Sequence, residues 1–141
     1  MKRFLVILSF ALCALLTSCE KDVSRLISND LVGEWQLDTV RYYQIIDGAS
    51  IEVEPDRISS VQMYPRHRIM ITHANIAYII KDVRVYHSNY SLIRGVIYAD
   101  ALSDYSILEF EDESMVLKIQ DPPWSSKYYV LYYDRISDHV Y

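Results

Sequence analysis

Cysteine is scarce: Cys13 and Cys19 are the two in 141 residues, and no thiol follows them. A disulfide framework is therefore excluded beyond residue 19, and whatever folds there is held by its core alone. Glycine is nearly as rare, with Gly33, Gly48 and Gly95 only, and no phosphate-cradling loop can be assembled from them. The four prolines, Pro55, Pro65, Pro122 and Pro123, all stand at breaks between apolar stretches. Basic residues are outnumbered, 14 Lys and Arg against 19 Asp and Glu, and nowhere cluster. An acidic chain of this kind repels phosphate backbones, so nucleic acid is excluded as a partner. One long apolar or small run exists, the 13 residues Phe4 to Leu16. As a helix it reaches ~20 Å, short of the ~30 Å needed to span a bilayer.

That run follows Lys2 and Arg3 and leads into Leu16-Thr17-Ser18-Cys19. A charged start, an apolar stretch and small residues at a cut site make a cleaved export signal over 1–18. The last four residues resemble a bacterial lipobox, which implies that Cys19 becomes the acylated first residue of the mature chain. Cleavage there leaves 123 residues with 12 basic against 19 acidic side chains. This is enough for one domain. Expected organisation is a signal peptide (1–18), a lipidated tether (19–30) with at most a helical turn, and a domain over 31–141.

Thirteen tyrosines with abundant valine and isoleucine favour strands. From Gly33 onward the apolar period is two. Candidate strands are Glu34–Tyr43, Ser50–Glu54, Ile58–Met63, Arg68–His73, Ile76–Tyr86, Gly95–Ala99, Tyr105–Phe110, Met115–Gln120 and Tyr128–Ser137. Turn chemistry separates them, at Asp47-Gly48, Pro55-Asp56, Tyr64-Pro65, Ala74-Asn75, Ser88-Asn89, Glu111 to Glu113 and Asp121 to Pro123. The expectation is an all-β, antiparallel up-and-down barrel of about eight strands, since closure removes bare edges. Met115, Leu117 and Ile119 belong to one face of their strand. Tyr128, Val130 and Tyr132 share a face opposite Tyr129, Leu131, Tyr133 and Arg135. A final strand apolar or aromatic on both sides fits a barrel wall with an outer aromatic layer or a partner.

The first strand opens "LVGEWQL". Glycine lets backbone bend closely there, and Trp35 two residues on points inward. Gly33-x-Trp35 at the mouth of the first strand of an exported β chain resembles the lipocalin family and its small lipocalin-like lipoprotein relatives of Gram-negative bacteria. The resemblance implies a barrel closed at one end by the Trp35 ring, with an arginine of the last strand lying over it. Arg135 holds the matching position. First and last strands become neighbours in a closed barrel, so Trp35 and Arg135 belong at the same end.

No constellation for chemistry appears. His67, His73, His87 and His139 cannot be brought into a convergent metal set and read as solvated. Glu109 and Glu111 to Glu113 read as a solvated turn, and no serine has assembled His and Asp partners. The chain is expected to be non-catalytic, without cofactor or metal. Trp124, in the loop Asp121 to Lys127, is a candidate contact for a ligand or partner, together with Tyr128 and Tyr132. The leading expectation is a lipid-anchored lipoprotein of the outer membrane, on its periplasmic face or at the cell surface. Its barrel would bind a small apolar or amphipathic molecule or a glycan fragment, and Cys19 would tie it to the membrane. The competing expectation is a filled barrel that contacts another envelope protein. A cavity of several hundred Å3 favours the first, and an interior plugged by tyrosines the second.

Overall fold

A computed structural model describes residues 21–54, 66–100, 103–120 and 125–139. Nine strands run in order: β1 (Gly33–Ile46), β2 (Ala49–Glu52), β3 (Arg68–Ile71), β4 (Asn75–Ile80), β5 (Val83–Ile93), β6 (Val96–Ala99), β7 (Tyr105–Phe110), β8 (Ser114–Gln120) and β9 (Lys127–Ser137). Every pairing is antiparallel. From β3 to β9 each strand lies beside the next, and β1 pairs with both β3 and β9, which closes the sheet on itself. The result is the up-and-down barrel expected, eight strands in the wall, with β2 an extra strand on the upper half of β1.

β1 is long because it serves three neighbours. Gly33 to Gln36 pair with β3, Tyr43 to Ile46 pair with β2, and β9 follows it from Glu34 to Gln44. Bulges in the β1–β9 ladder fall between Glu34 and Trp35 and between Leu37 and Thr39. The second leaves Asp38 without an opposite number, so Trp35 and Leu37 before it and Val40 and Tyr42 after it all pack toward the core. Such a bulge bends and twists the strand, which helps a short sheet close.

The alternation read from sequence holds in β8 and β9. Met115, Leu117, Ile119, Leu131 and Tyr133 are buried in the barrel, while Lys118 and Gln120 face out. Two strand boundaries differ from expectation. The stretch 76–86 is two strands joined at Lys81-Asp82, and Ser88-Asn89 lies inside β5 instead of in a turn. Both Lys81 (φ 48°) and Asp82 (φ 63°) adopt the left-handed conformation that a two-residue hairpin needs. The candidate strand 58–63 lies outside the described residues.

The tether expected over 19–30 is, from Lys21 on, part of the domain. A 3-10 turn (Val23–Arg25) and a one-turn helix α1 (Ser28–Leu31) cross the end of the barrel where β1 begins. Leu26 and Leu31 are buried in the core. Asp22 caps the first turn by accepting from the Ser24 amide at 3.1 Å, and the Asp30 carboxylate accepts from the Ile27 amide at 2.9 Å. Gly95, in the β5–β6 turn, comes so near the Val23 carbonyl that a Cβ would sit 3.0 Å from it.

Candidate functional site

The closed end is built around Trp35. Its ring is fully buried, its Nε1 donates to the Leu31 carbonyl at 3.0 Å, and Phe110 meets it at 5.8 Å between centroids. The Arg135 guanidinium lies over the ring, Cζ 4.2 Å from the centroid. One terminal nitrogen donates to the Val32 carbonyl at 3.0 Å and to Asp138 Oδ1 at 3.2 Å, and the other donates to the Asp30 carbonyl at 2.8 Å. Gly33 makes this possible. Its φ is 149°, and a Cβ there would stand 2.6 Å from the Ser137 carbonyl, so only glycine lets β1 pass so close to the end of β9. Lys21 completes the seal, its ammonium 2.9 Å from Asp112 and 5.6 Å from the Phe110 centroid. The hydrogen bond from Lys21 to Asp112 raises the lysine pKa and lowers that of the aspartate.

The middle of the barrel is occupied. Tyr78, Tyr105, Tyr133 and His67 are each at most 1% exposed. His67 Nε2 and the Tyr133 hydroxyl are 2.7 Å apart, and the Tyr78 and Tyr105 hydroxyls bond to each other. Burial pushes the Tyr78 and Tyr133 hydroxyls well above the ordinary phenol pKa. His67 thus corrects the expectation that all four histidines are solvated: it is interior, while His73, His87 and His139 are exposed. Among the described residues these four side chains fill the barrel interior at this level.

Open space lies at the other end. A cleft of about 460 Å3 is lined by Val40, Tyr42, Val53 and Tyr129, with Arg41, Glu52 and Glu54 adding charge. Tyr42 and Tyr129 stack at 4.6 Å. β1 positions Val40 and Tyr42, β9 supplies Tyr129, and the Val53 amide bonds the Tyr42 carbonyl at 2.9 Å, which holds the chain after β2 beside the cleft. A second cleft, about 440 Å3, lies on the outer wall and includes Met70, Ala77, Arg84, His73, His87 and His139. Among the described residues no three His, Cys, Asp or Glu side chains stand close enough to hold a metal ion.

Of the contact residues expected from sequence, Tyr128 and Tyr132 lie on the outer wall of β9. Tyr43 stacks on Tyr128 at 5.2 Å, Lys118 sits 4.3 Å over the Tyr128 ring, and Arg41 sits 5.6 Å over Tyr132. They are apart from the cleft-lining pair Tyr42 and Tyr129, which sequence reading did not single out. Alternation sets Tyr129 opposite Tyr128 and Tyr132 without saying which face is inner, and the lining role of Tyr42 follows from the Asp38 bulge, which has no local signal. Cys19 and Trp124 lie outside the described residues.

The fold and these clefts define a class, a small closed antiparallel barrel sealed by its own N-terminal segment, with its middle filled and a cleft at the open end. No protein family, curated protein or solved structure matches the chain.

Proposed function

We propose that this protein is a lipid-anchored, non-catalytic lipoprotein of the cell envelope that binds a small amphipathic molecule or glycan fragment. The supporting observation is the cleft of about 460 Å3 beside Tyr42 and Tyr129. That volume falls in the range of small-molecule sites. Two tyrosine rings, Val40 and Val53 supply apolar contact, and Glu52, Glu54 and Arg41 supply directional polar contact. The exposed charges of Arg41, Glu52 and Glu54 at the rim favour a ligand that carries hydroxyl or amine groups beside its apolar part. Anchorage rests on the order Leu16-Thr17-Ser18-Cys19 after an export signal.

Val53→Trp, at a half-buried lining position, enlarges the side chain that borders the cleft and reduces its volume. Native mass spectrometry of protein isolated from its own membrane should reveal a bound small molecule in the wild type and its loss in the variant. Absence of any adduct from the wild type removes the ligand-binding reading. A second reading, a filled barrel that docks another envelope protein, is favoured by the occupied middle layer and by the outer tyrosines. It expects Tyr128→Ala to abolish a specific cross-link to a neighbour that Val53→Trp leaves intact.

A further inference from the structure

The N-terminal segment fixes more than the seal of the barrel. Lys21 is held by Asp112, Asp30 and the Phe110 ring, and Val23 is wedged against the β5–β6 turn. Between Lys21 and Cys19 stands Glu20 alone. Two residues of chain span at most about 7 Å even when fully extended. If acyl chains on Cys19 enter a leaflet, the end of the barrel that carries Lys21 is therefore brought to the headgroups.

We infer that the closed end of the barrel docks flat on the phospholipid leaflet that holds the acyl chains of Cys19, and that the open end points away from it. This rests on the lipid anchor proposed above. The closed end carries exposed apolar side chains that can meet such a surface. Ile27, beside α1, and Ile93, at the lower end of β5, are 60% and 55% exposed. Those are large apolar side chains in water, and each could insert at the headgroup boundary. Arg94 follows Ile93 at the turn and Arg25 precedes Ile27 by two residues, so guanidinium groups accompany both. The remaining charge there is acidic on balance: Lys21 stands between Asp30 and Asp112, Arg25 pairs with Asp22 and Arg135 with Asp138, and Glu111 and Glu113 are exposed in the β7–β8 turn. Docking is therefore driven by the short tether and apolar contact, and anionic lipid weakens it. The cleft beside Tyr42 and Tyr129 is then at the end away from the leaflet.

β5 provides its own control. Val83 at its upper end is 60% exposed, close to the 55% of Ile93 at the lower end, and the ten steps between them span about 33 Å. After cleavage and acylation the mature chain has no free thiol, so Ile93→Cys or Val83→Cys gives a single site for an environment-sensitive fluorophore. The acylated proteins are placed in phosphatidylethanolamine–phosphatidylglycerol vesicles that carry a quencher in the acyl region. The label at position 93 should be quenched several-fold more than the label at 83. Equal quenching, or the reverse order, overturns the inference. Should Ile93→Cys fail to fold, Ile27→Cys replaces it with the same expectation. Mass spectrometry of the N-terminal peptide separates the two failures: an unmodified Cys19 removes the lipid anchor itself, whereas an acylated Cys19 with equal labels removes only the orientation.

Discussion

Arg135 is the residue on which the closed end converges, and its worth comes from shape as much as charge. The planar fork covers the Trp35 ring while reaching the Asp30 and Val32 carbonyls. Lysine keeps the charge but offers a single flexible ammonium that cannot serve ring and both carbonyls at once. Arg135→Lys is therefore expected to cost about 1–3 kcal/mol, read as a lower midpoint in thermal or urea unfolding. An unchanged midpoint would mean that the guanidinium is a bystander. The pairing of Trp35 with Arg135 was implied in sequence by the resemblance carried on Gly33-x-Trp35, and strand direction in a closed barrel added that both belong at one end. His67 was not. It stands between two arginines, Arg66 and Arg68, in a stretch that reads as wet. What buries it is Tyr133, 66 residues further on, and no local pattern announces a partner that distant.

Among the elements, the β4–β5 hairpin is where propensity and tertiary pairing part company. Lys81-Asp82 carries little turn signal, since lysine dislikes positive φ, whereas Ser88-Asn89 carries a strong one. The chain turns at the first and runs straight through the second. β5 is paired on one side with β4 and on the other with β6, and Ser88 is buried, so ladder bonds outweigh the local preference. Asp82 has a further reason to stay, an ion pair with Arg68, which also meets Glu34. Relieving the strain at Lys81 alone is then the clean experiment. Lys81→Asn places a residue tolerant of the left-handed region there and should stabilise by a few tenths to about 1 kcal/mol, seen as a higher urea midpoint at unchanged slope. β7, β8 and β9 were read within a residue or two because each keeps a core-facing set of apolar residues at period two between clear turn signals, even where Val116 and Val130 are buried on the other face.

At the scale of the whole molecule the buried phenols set an upper pH limit. Burial raises the hydroxyls of Tyr78 and Tyr133 well above the usual value and that of Tyr90 to about 12. In the unfolded chain the same groups ionise near 10. Above that pH the unfolded chain has released protons that the folded barrel still holds, so stability falls as pH rises through the interval from about 10 to about 12, and below it these groups contribute no pH dependence. Denaturation midpoints measured across that range, with tyrosinate absorbance as the monitor, should drop together with a delayed, cooperative ionisation. Early, gradual ionisation of all tyrosines in a stable protein would contradict the buried layer. The register that sets Trp35 against Arg135 also has a consequence in time. β1 and β9 stand at opposite ends of the described chain, so their pairing closes the longest loop in the barrel. Hairpins along the chain can form early, each from neighbours in sequence, but the joint that turns a curled sheet into a barrel waits for the last strand. Until then β1 and β8 are bare edges and Trp35 lacks its lid, so the slowest and most aggregation-exposed moment in the life of this protein is the one just before its two ends meet.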